Sequence, residues 1–539
     1  MRRLKKTSPF LAGTFFLCLF LVRFAAAGQA GDAFVMPAVA EPTNLIPLLA
    51  SDSASAEVSR FIFNGLLKYD GDLQLVGDLA ESWEVKDGGL TLIFHLRKNV
   101  RWQDGYLFSG RDVVFTYLSL VDPDVPTPYG AAFEKVESVL APDAETVVVR
   151  YKEPFSPGLS SWTMGILPMH ILVNQDLSRT DFAKSPVGTG PYSLKRWVRG
   201  ELIELRANPG YFEGMPAIER VVFRVLPDPA TVFLELQNEN LDTAGLTPLQ
   251  FNRQIQTGFF KKNYRAYNWS GQQYTYLGYN LDSPLFSDKR VRQAMAMAVD
   301  QQAIIRAVLM GRGRAITGPF LPDSWAYDAQ VKPYPYEPAA ALGLLREAGW
   351  QDTDGDGILD REGKKFAFTV LTNAGNDARK MTCEMLQRQL AQIGIQMRIQ
   401  PMEWSTLLKE FIHPRRFEAV LLGWNLALDP DVFDIFHSSR TAPGHFNFVQ
   451  FRNAEGDRLL EEARTTFDTD KRRELYQRFH RLVREEQPYL FLFTSESLAV
   501  LHRRFEGVTE GKLGVGHDFV RWYVPSGERR YRSAPTADE

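Results

Sequence analysis

The chain is short of several things, and each shortage removes a class of protein. Only two cysteines occur in 539 residues, Cys18 and Cys383. That excludes a disulfide-stapled scaffold, so stability must come from core burial. Charge of one sign is also missing: 62 lysines and arginines stand against 65 aspartates and glutamates, a formal net charge of −3. With no basic patch or charge run, nucleic acid is not expected as a partner. The apolar run at 10–22 falls short of the ~20 residues that a transmembrane helix needs. Catalytic signatures are absent as well: there is no G-x-S-x-G elbow, H-E-x-x-H helix, paired C-x-x-C or P-loop. The eight histidines are scattered, none at metal-ligand spacing with another. An enzyme and a bound cofactor are therefore not expected.

What the N-terminus does have is an address. Arg2, Arg3, Lys5 and Lys6 precede the apolar run, and Ala25-Ala26-Ala27-Gly28 follows it. This is the pattern of a secretory signal peptide spanning residues 1–27, with an uncleaved anchor as the alternative. The mature chain is expected to be extracytoplasmic, or periplasmic. Cleavage would remove five basic residues and no acidic one, taking the net charge from −3 to −8. Cys18 lies inside the apolar run and is not placed for lipid attachment. Cys383 reads as a small core residue on a helix.

A length of 539 residues exceeds what one hydrophobic core supports, so at least two lobes are expected. Periodicity places helices at 58–67, 111–120 (opened by Ser109), 228–238, 338–348, 377–392 and 470–486. Strand patterns fall at 90–96, 146–151, 192–198, 202–207, 220–225, 274–280, 489–493 and 497–501. Between 365 and 422 the order is strand–helix–strand–helix–strand, which predicts a parallel sheet in a doubly wound α/β lobe. The V-G-T-G-P stretch at 187–191 is not a phosphate loop, because Pro191 follows at once and no helix opens there.

The most informative stretch is 417–431, F-E-A-V-L-L-G-W-N-L-A-L-D-P-D. Its near-continuous apolar start predicts a buried strand ending at Gly423, and Asp429-Pro430 forces a turn. Trp424, Asn425, Leu426 and Ala427 then occupy the carboxyl end of a strand, where open α/β sheets bind ligands. Aromatics make up 12% of the chain. Trp404 and Trp424 lie just past strand ends, as expected of cleft walls that offer rigid apolar faces with a polar edge. A second motif is acidic. Asp352, Asp354, Asp356, Gly357 and Asp360 match positions 1, 3, 5, 6 and 9 of a calcium loop, yet position 12 is Gly363 and no helix flanks it. It is read as an acidic turn, with calcium the weaker alternative.

Several motifs together resemble the family 5 solute-binding proteins, the peptide- and nickel-binding receptors of ABC importers. They are F-N-G-L-L-K-Y-D at 63–70, L-A-E-S-W-E-V at 79–85, F-H-L-R-K-N-V-R-W-Q-D-G at 94–105, V-G-T-G-P-Y at 187–192, Y-L-G-Y-N at 276–280 and R-V-R-Q-A-M-A-M-A-V-D at 290–300. The resemblance implies a class II periplasmic-binding-protein fold of the large, three-subdomain type. Lobe I would comprise 28–57, 186–275 and 489–539, with a subdomain inserted at 58–185 and lobe II at 276–488. It further implies a monomer that holds an extended peptide between the lobes and passes it to an inner-membrane permease. Many such receptors carry an aspartate between the Gly-Trp and Asp-Pro of the 423–430 loop, pairing with the ligand's ammonium. Here that stretch is Asn425-Leu426-Ala427-Leu428, without a carboxylate, so either Asp429 or Glu403 supplies the charge or the ligand presents no free N-terminus there. The expected contacts are Asn44, Tyr274, Glu403, Trp404, Trp424, Asn425, Leu426, Ala427 and Asp429. A sugar or metal chelate is the alternative cargo, and an exported hydrolase the remaining one.

Overall fold

Two bands of buried side chains on either face of one strand show how the second half of the molecule is built. The computed structural model describes residues 32–531 apart from 39 and 51, so the signal peptide expected at 1–27, with Cys18, and the end of the C-terminal tail lie outside the described residues. Strand β1 (Ala33–Ala38) is followed by a helix, Ser53–Ile62, capped by the Asp52 carboxylate accepting from the Ser55 amide at 2.8 Å. The helix starts earlier than the periodicity suggests and stops at Ile62, because Leu67 is needed in a hairpin of β2 (Leu67–Tyr69) and β3 (Leu75–Gly77). Strands β4 (Ala80–Lys86), β5 (Thr91–Leu96), β6 (Val136–Leu140) and β7 (Thr146–Tyr151) form an antiparallel sheet in the order β4-β5-β7-β6. The helix Gly110–Val121 packs against it, opened by a Ser109/Asp112 capping box as its sequence predicts.

Strands β8 (Tyr192–Val198), β9 (Leu202–Ala207) and β10 (Arg220–Val225) pair antiparallel in succession, and β1 joins β10 in parallel. A single core runs under this sheet and the inserted one, from Phe34 through Leu92 to Trp522. The V-G-T-G-P stretch serves that core. Gly190 donates to the Ile62 carbonyl at the helix end (2.7 Å), and a Cβ on Gly188 would sit 1.8 Å from the same oxygen. Only glycine allows this backbone-on-backbone contact.

The largest sheet holds eight strands: β11 (Thr243–Gly245), β12 (Tyr264–Ser270), β13 (Gln273–Tyr279), β14 (Gly313–Ala315), β17 (Ala367–Asn373), β18 (Gln396–Met402), β19 (Ala419–Asn425) and β20 (Tyr489–His502), with β15 (Asp360–Arg361) and β16 (Lys364–Lys365) a separate hairpin. Strands β17, β18 and β19 are parallel, as the strand–helix alternation predicts. The sheet as a whole is mixed, however, because β13 runs antiparallel to both β19 and β20, so that β20 points the same way as β17, β18 and β19. On β19, Ala419 and Leu421 face one core while Val420 and Leu422 face another. Both faces are covered, as expected of an apolar strand.

Strand β20 is continuous, where the sequence suggests two strands. Tyr489–Phe493 pairs with β13, and residues 496–502 pair with β12. The polar residues between them mark a change of partner, not a turn. At that point Gly271 donates to the Ser495 carbonyl (2.9 Å) and Thr494 Oγ1 donates to the Gly271 carbonyl (3.3 Å). Strand β20 thus changes partner from β13 to β12 where Gly271 meets Ser495.

Candidate ligand-binding site

A cavity of about 1340 Å³ opens between the halves, well above the 300–1,000 Å³ of an ordinary small-molecule pocket. Its wall comes largely from the first half: the end of the Ser53–Ile62 helix, the β2–β3 hairpin, residues 160–165, and the segment 510–521 near the C-terminus. Leu428 reaches it from the second half.

The polar centre of that wall is built on Asn64, just past the helix end. Asn64 Nδ2 donates to both oxygens of Asp78 (3.1 and 2.9 Å) and lies 3.3 Å from the Tyr211 hydroxyl, and Asn64 Oδ1 accepts from Thr189 Oγ1. Lys68 Nζ stands 3.6 Å from Asp78 and 2.6 Å from Glu213. Burial lifts the Asp78 carboxyl to about 6 even though Lys68 and Asn64 pull it down, and Glu213 adds to the rise. The same burial, with Asp78 and Glu213 nearby, raises the Tyr211 hydroxyl.

The loop after β19 faces the first half. Strand β19 runs on to Asn425, which pairs with Gln273, so Gly423 does not end it. The carboxyl end of the strand is therefore Leu426 onward. Leu426, Ala427 and Asp429 line a small cavity of about 40 Å³ together with Leu73, Gln272 and Trp325. Asp429 is engaged: its carboxylate takes a bidentate pair from Arg472 (2.7 and 2.8 Å), whose side chain is 8% exposed. Asp431 is likewise held by Arg464. Beside this loop the Ser156 amide donates to the Arg464 carbonyl (2.7 Å) and Ser156 Oγ to the Ala463 carbonyl (3.1 Å), tying the inserted subdomain to the second half.

The other expected contacts lie elsewhere. Trp424 is half-buried, stacked on Tyr276 at 6.4 Å and 8°, with its indole nitrogen 3.4 Å from the Tyr489 hydroxyl. It packs on the core and does not line the large cavity. Tyr274 is buried between Tyr276 and Phe491, because its place on β13 points it into the core that Val420 and Leu422 also fill. Asn44 turns its side chain back onto the Ile46 amide (2.8 Å). Glu403 accepts from the Thr406 amide (2.8 Å), and Trp404 beside it is 48% exposed. Asn425 is exposed at the strand end. No local sequence signal marks Asp78 or Tyr211 as part of this wall, whereas Asn64 lies within the F-N-G-L-L-K-Y-D motif that carries the resemblance.

The acidic loop folds as a turn. Asp352 accepts from the Gly355 and Gly357 amides, and Lys365 Nζ sits 2.5 Å from Asp354 and 3.0 Å from Asp356. One carboxylate oxygen from each of Asp352, Asp354 and Asp356 falls within 4.8 Å of the others. Asp360 is not among them: it is buried, accepting from the Thr353 amide and hydroxyl.

Two α/β halves sharing strands, with a cavity between them, define a two-lobed binding protein. The family model for bacterial extracellular solute-binding proteins, family 5 Middle, matches residues 74–444. The chain belongs to family 5 of the bacterial extracellular solute-binding proteins. It is 35% identical over 509 residues to the oligopeptide-binding protein AppA of Bacillus subtilis, covering 93% of each chain. The solved structure of that protein in complex with a nonapeptide superposes with a TM-score of 0.74 at 33% identity, over 92% of this chain and all of the other. NikZ from Campylobacter jejuni, in complex with Ni(L-His), matches with a TM-score of 0.74 at 27% identity, over 92% and 99%. Among the described residues no helix is long and apolar enough to cross a membrane.

Proposed function

We propose that this protein is an exported, monomeric receptor that encloses a peptide between its lobes and delivers it to an inner-membrane ABC permease, without chemistry of its own. The observation that carries this reading is the size of the chamber: about 1340 Å³, reached by Leu428 from one lobe and walled by the other. A peptide of several residues needs a chamber larger than an ordinary small-molecule pocket, as this one is. The similarity to an oligopeptide-binding protein along nearly the whole chain supports it. Contacts such as those of Ser156 with residues 463–464 join the lobes, and a ligand touching both would bias a hinge motion toward closure.

A second cargo, a metal chelate or sugar, is favoured by one feature: the loop that would meet a peptide ammonium has its Asp429 carboxylate already paired with Arg472. Native mass spectrometry of protein purified without refolding separates the two. A spread of peptide masses supports the peptide reading, and one discrete non-peptide adduct replaces it. A peptide at 100 times its Kd should add roughly 2.7 kcal/mol of stability. A broad peptide library that gives no thermal shift would retire the assignment.

A further inference from the structure

The small cavity beside the loop after β19 is walled from both halves of the molecule. Leu73 enters from the first half, at the tip of the β2–β3 hairpin, and Phe320, Leu321, Trp325 and Leu428 enclose the space from the second. Leu73 is 8% exposed although Asp72 and Gln74 on either side of it are exposed. Its φ is 64°, a left-handed conformation that a leucine adopts only at a cost. Strained residues of this kind persist where their surroundings hold them, and they gather at ligand clamps. The hairpin tip thus gives an apolar wall to the space between the halves. The two carboxylates on its border are engaged, Asp429 by Arg472 and Asp431 by Arg464. Ser324 Oγ accepts from the Ala326 amide (3.3 Å), and the Gln272 carbonyl accepts from the Leu426 amide (2.9 Å). Neither acid is left to draw a cation, and the rest of the wall is apolar. The volume is about 40 Å³. One water needs roughly 10–15 Å³, so the space matches about three waters, or an aliphatic side chain of three or four carbons.

We propose that this space is a subsite of the cleft that takes one uncharged aliphatic side chain of the bound peptide, of about valine or leucine size. The proposal rests on the peptide reading and adds to it a preference at one ligand position. Leu428 lines both this space and the large cavity, so turning that one side chain joins them. A guest side chain seated there touches Leu73 on one half and Leu321 and Trp325 on the other. The space exists only while the halves are together, so burying an apolar group in it favours the closed form. Packed interiors hold few voids larger than a water molecule. A void at the junction of two moving parts is one that a ligand can fill on closure.

The test is isothermal titration of the mature chain with alanine–glycine peptides of three and of nine residues. Each position in turn carries leucine, its polar near-isostere asparagine, or phenylalanine. At one position leucine should bind about tenfold more tightly than either of the others. Leu73→Gly suits the left-handed backbone and widens the space, so phenylalanine at that position should gain about tenfold relative to leucine. Leu73→Phe fills the space, and the leucine preference should fall to within about twofold. If Leu73→Phe binds no peptide, the exchange of size preference in Leu73→Gly decides alone. Equal affinity for leucine and asparagine at every position of the parent's ligands overturns the proposal and leaves the peptide reading intact. So does a leucine preference that both variants keep unchanged. Failure of every peptide to bind the parent retires the peptide reading and the subsite with it.

Discussion

Asp429 is the residue at which a ligand-binding role and a structural role can be told apart. Its carboxylate pairs bidentately with Arg472, and that guanidinium also donates to the Ala463 carbonyl (3.1 Å), lies 3.0 Å from the Tyr476 hydroxyl and sits over the Trp325 ring. Arg472 is 8% exposed and Asp429 12%, so neither charge can turn to water. Asp429→Ala should leave a buried guanidinium uncompensated, at a cost of about 3–5 kcal/mol. Arg472→Met should cost a comparable amount, since Asp429 would then face Asp431 without its partner. The double variant removes both charges and should recover to within about 2 kcal/mol of the parent, because a well-packed apolar pair often replaces a buried ion pair at little loss. Urea unfolding of ligand-free protein, followed by tryptophan fluorescence, measures all three. If Asp429→Ala unfolds at the parent's urea concentration but loses ligand, the carboxylate serves the ligand and the structural reasoning is wrong.

Two further outcomes follow from other buried groups. His480 is buried, with Nδ1 accepting from the Asp328 amide (3.2 Å) and Nε2 at 2.9 Å from Thr317 Oγ1; burial holds it down at about 4, with Asp328 opposing and Arg481 reinforcing. A depressed histidine contributes stability that is present above its unfolded value near 6.5 and is lost as pH falls toward 4. The loss should reach roughly 3 kcal/mol, and a His480→Gln variant should show a correspondingly flatter melting temperature between pH 4 and 6.5; equal slopes would rule this out. Ser156→Ala removes the hydroxyl bond to Ala463, worth about 1 kcal/mol, and should shift the ligand-free protein several-fold toward the open form. Small-angle scattering that finds the same radius of gyration in variant and parent would deny that bond a part in closure.

Features set by neighbours along the chain were legible in the sequence. Helices Pro338–Glu347 and Asp377–Ala391 and strands β17 and β18 fall within a residue or two of their periodicity, because an amphipathic stripe and flanking glycines are local signals. The alternating faces of β19 were visible in the same way, although its end was not. What was not legible depends on distant partners. Nothing near Gly423 reveals that Gln273 extends its strand to Asn425, and that extension carries Trp424 onto the core and away from the cavity. Tyr274 reads as a wall from sequence because aromatics suit both walls and cores, and only the second sheet face decides between them. The polar wall joins Asn64 to Asp78 and to Tyr211, 14 and 147 positions away. No local pattern announces such a meeting.

Strand β20 carries one more consequence. It is the last long strand to be made, and its two ends pair with β13 and with β12. Until residues 489–502 are available, β12 and β13 lack a partner on that side, whatever helices have already formed. The eight-stranded sheet of a chain released from its N-terminus onward therefore stays incomplete until its final tenth emerges, whereas the two four-stranded sheets need no strand from that stretch. Truncation just before Tyr489 should yield two unsatisfied sheet edges and an aggregating product, not one sound lobe and one broken one.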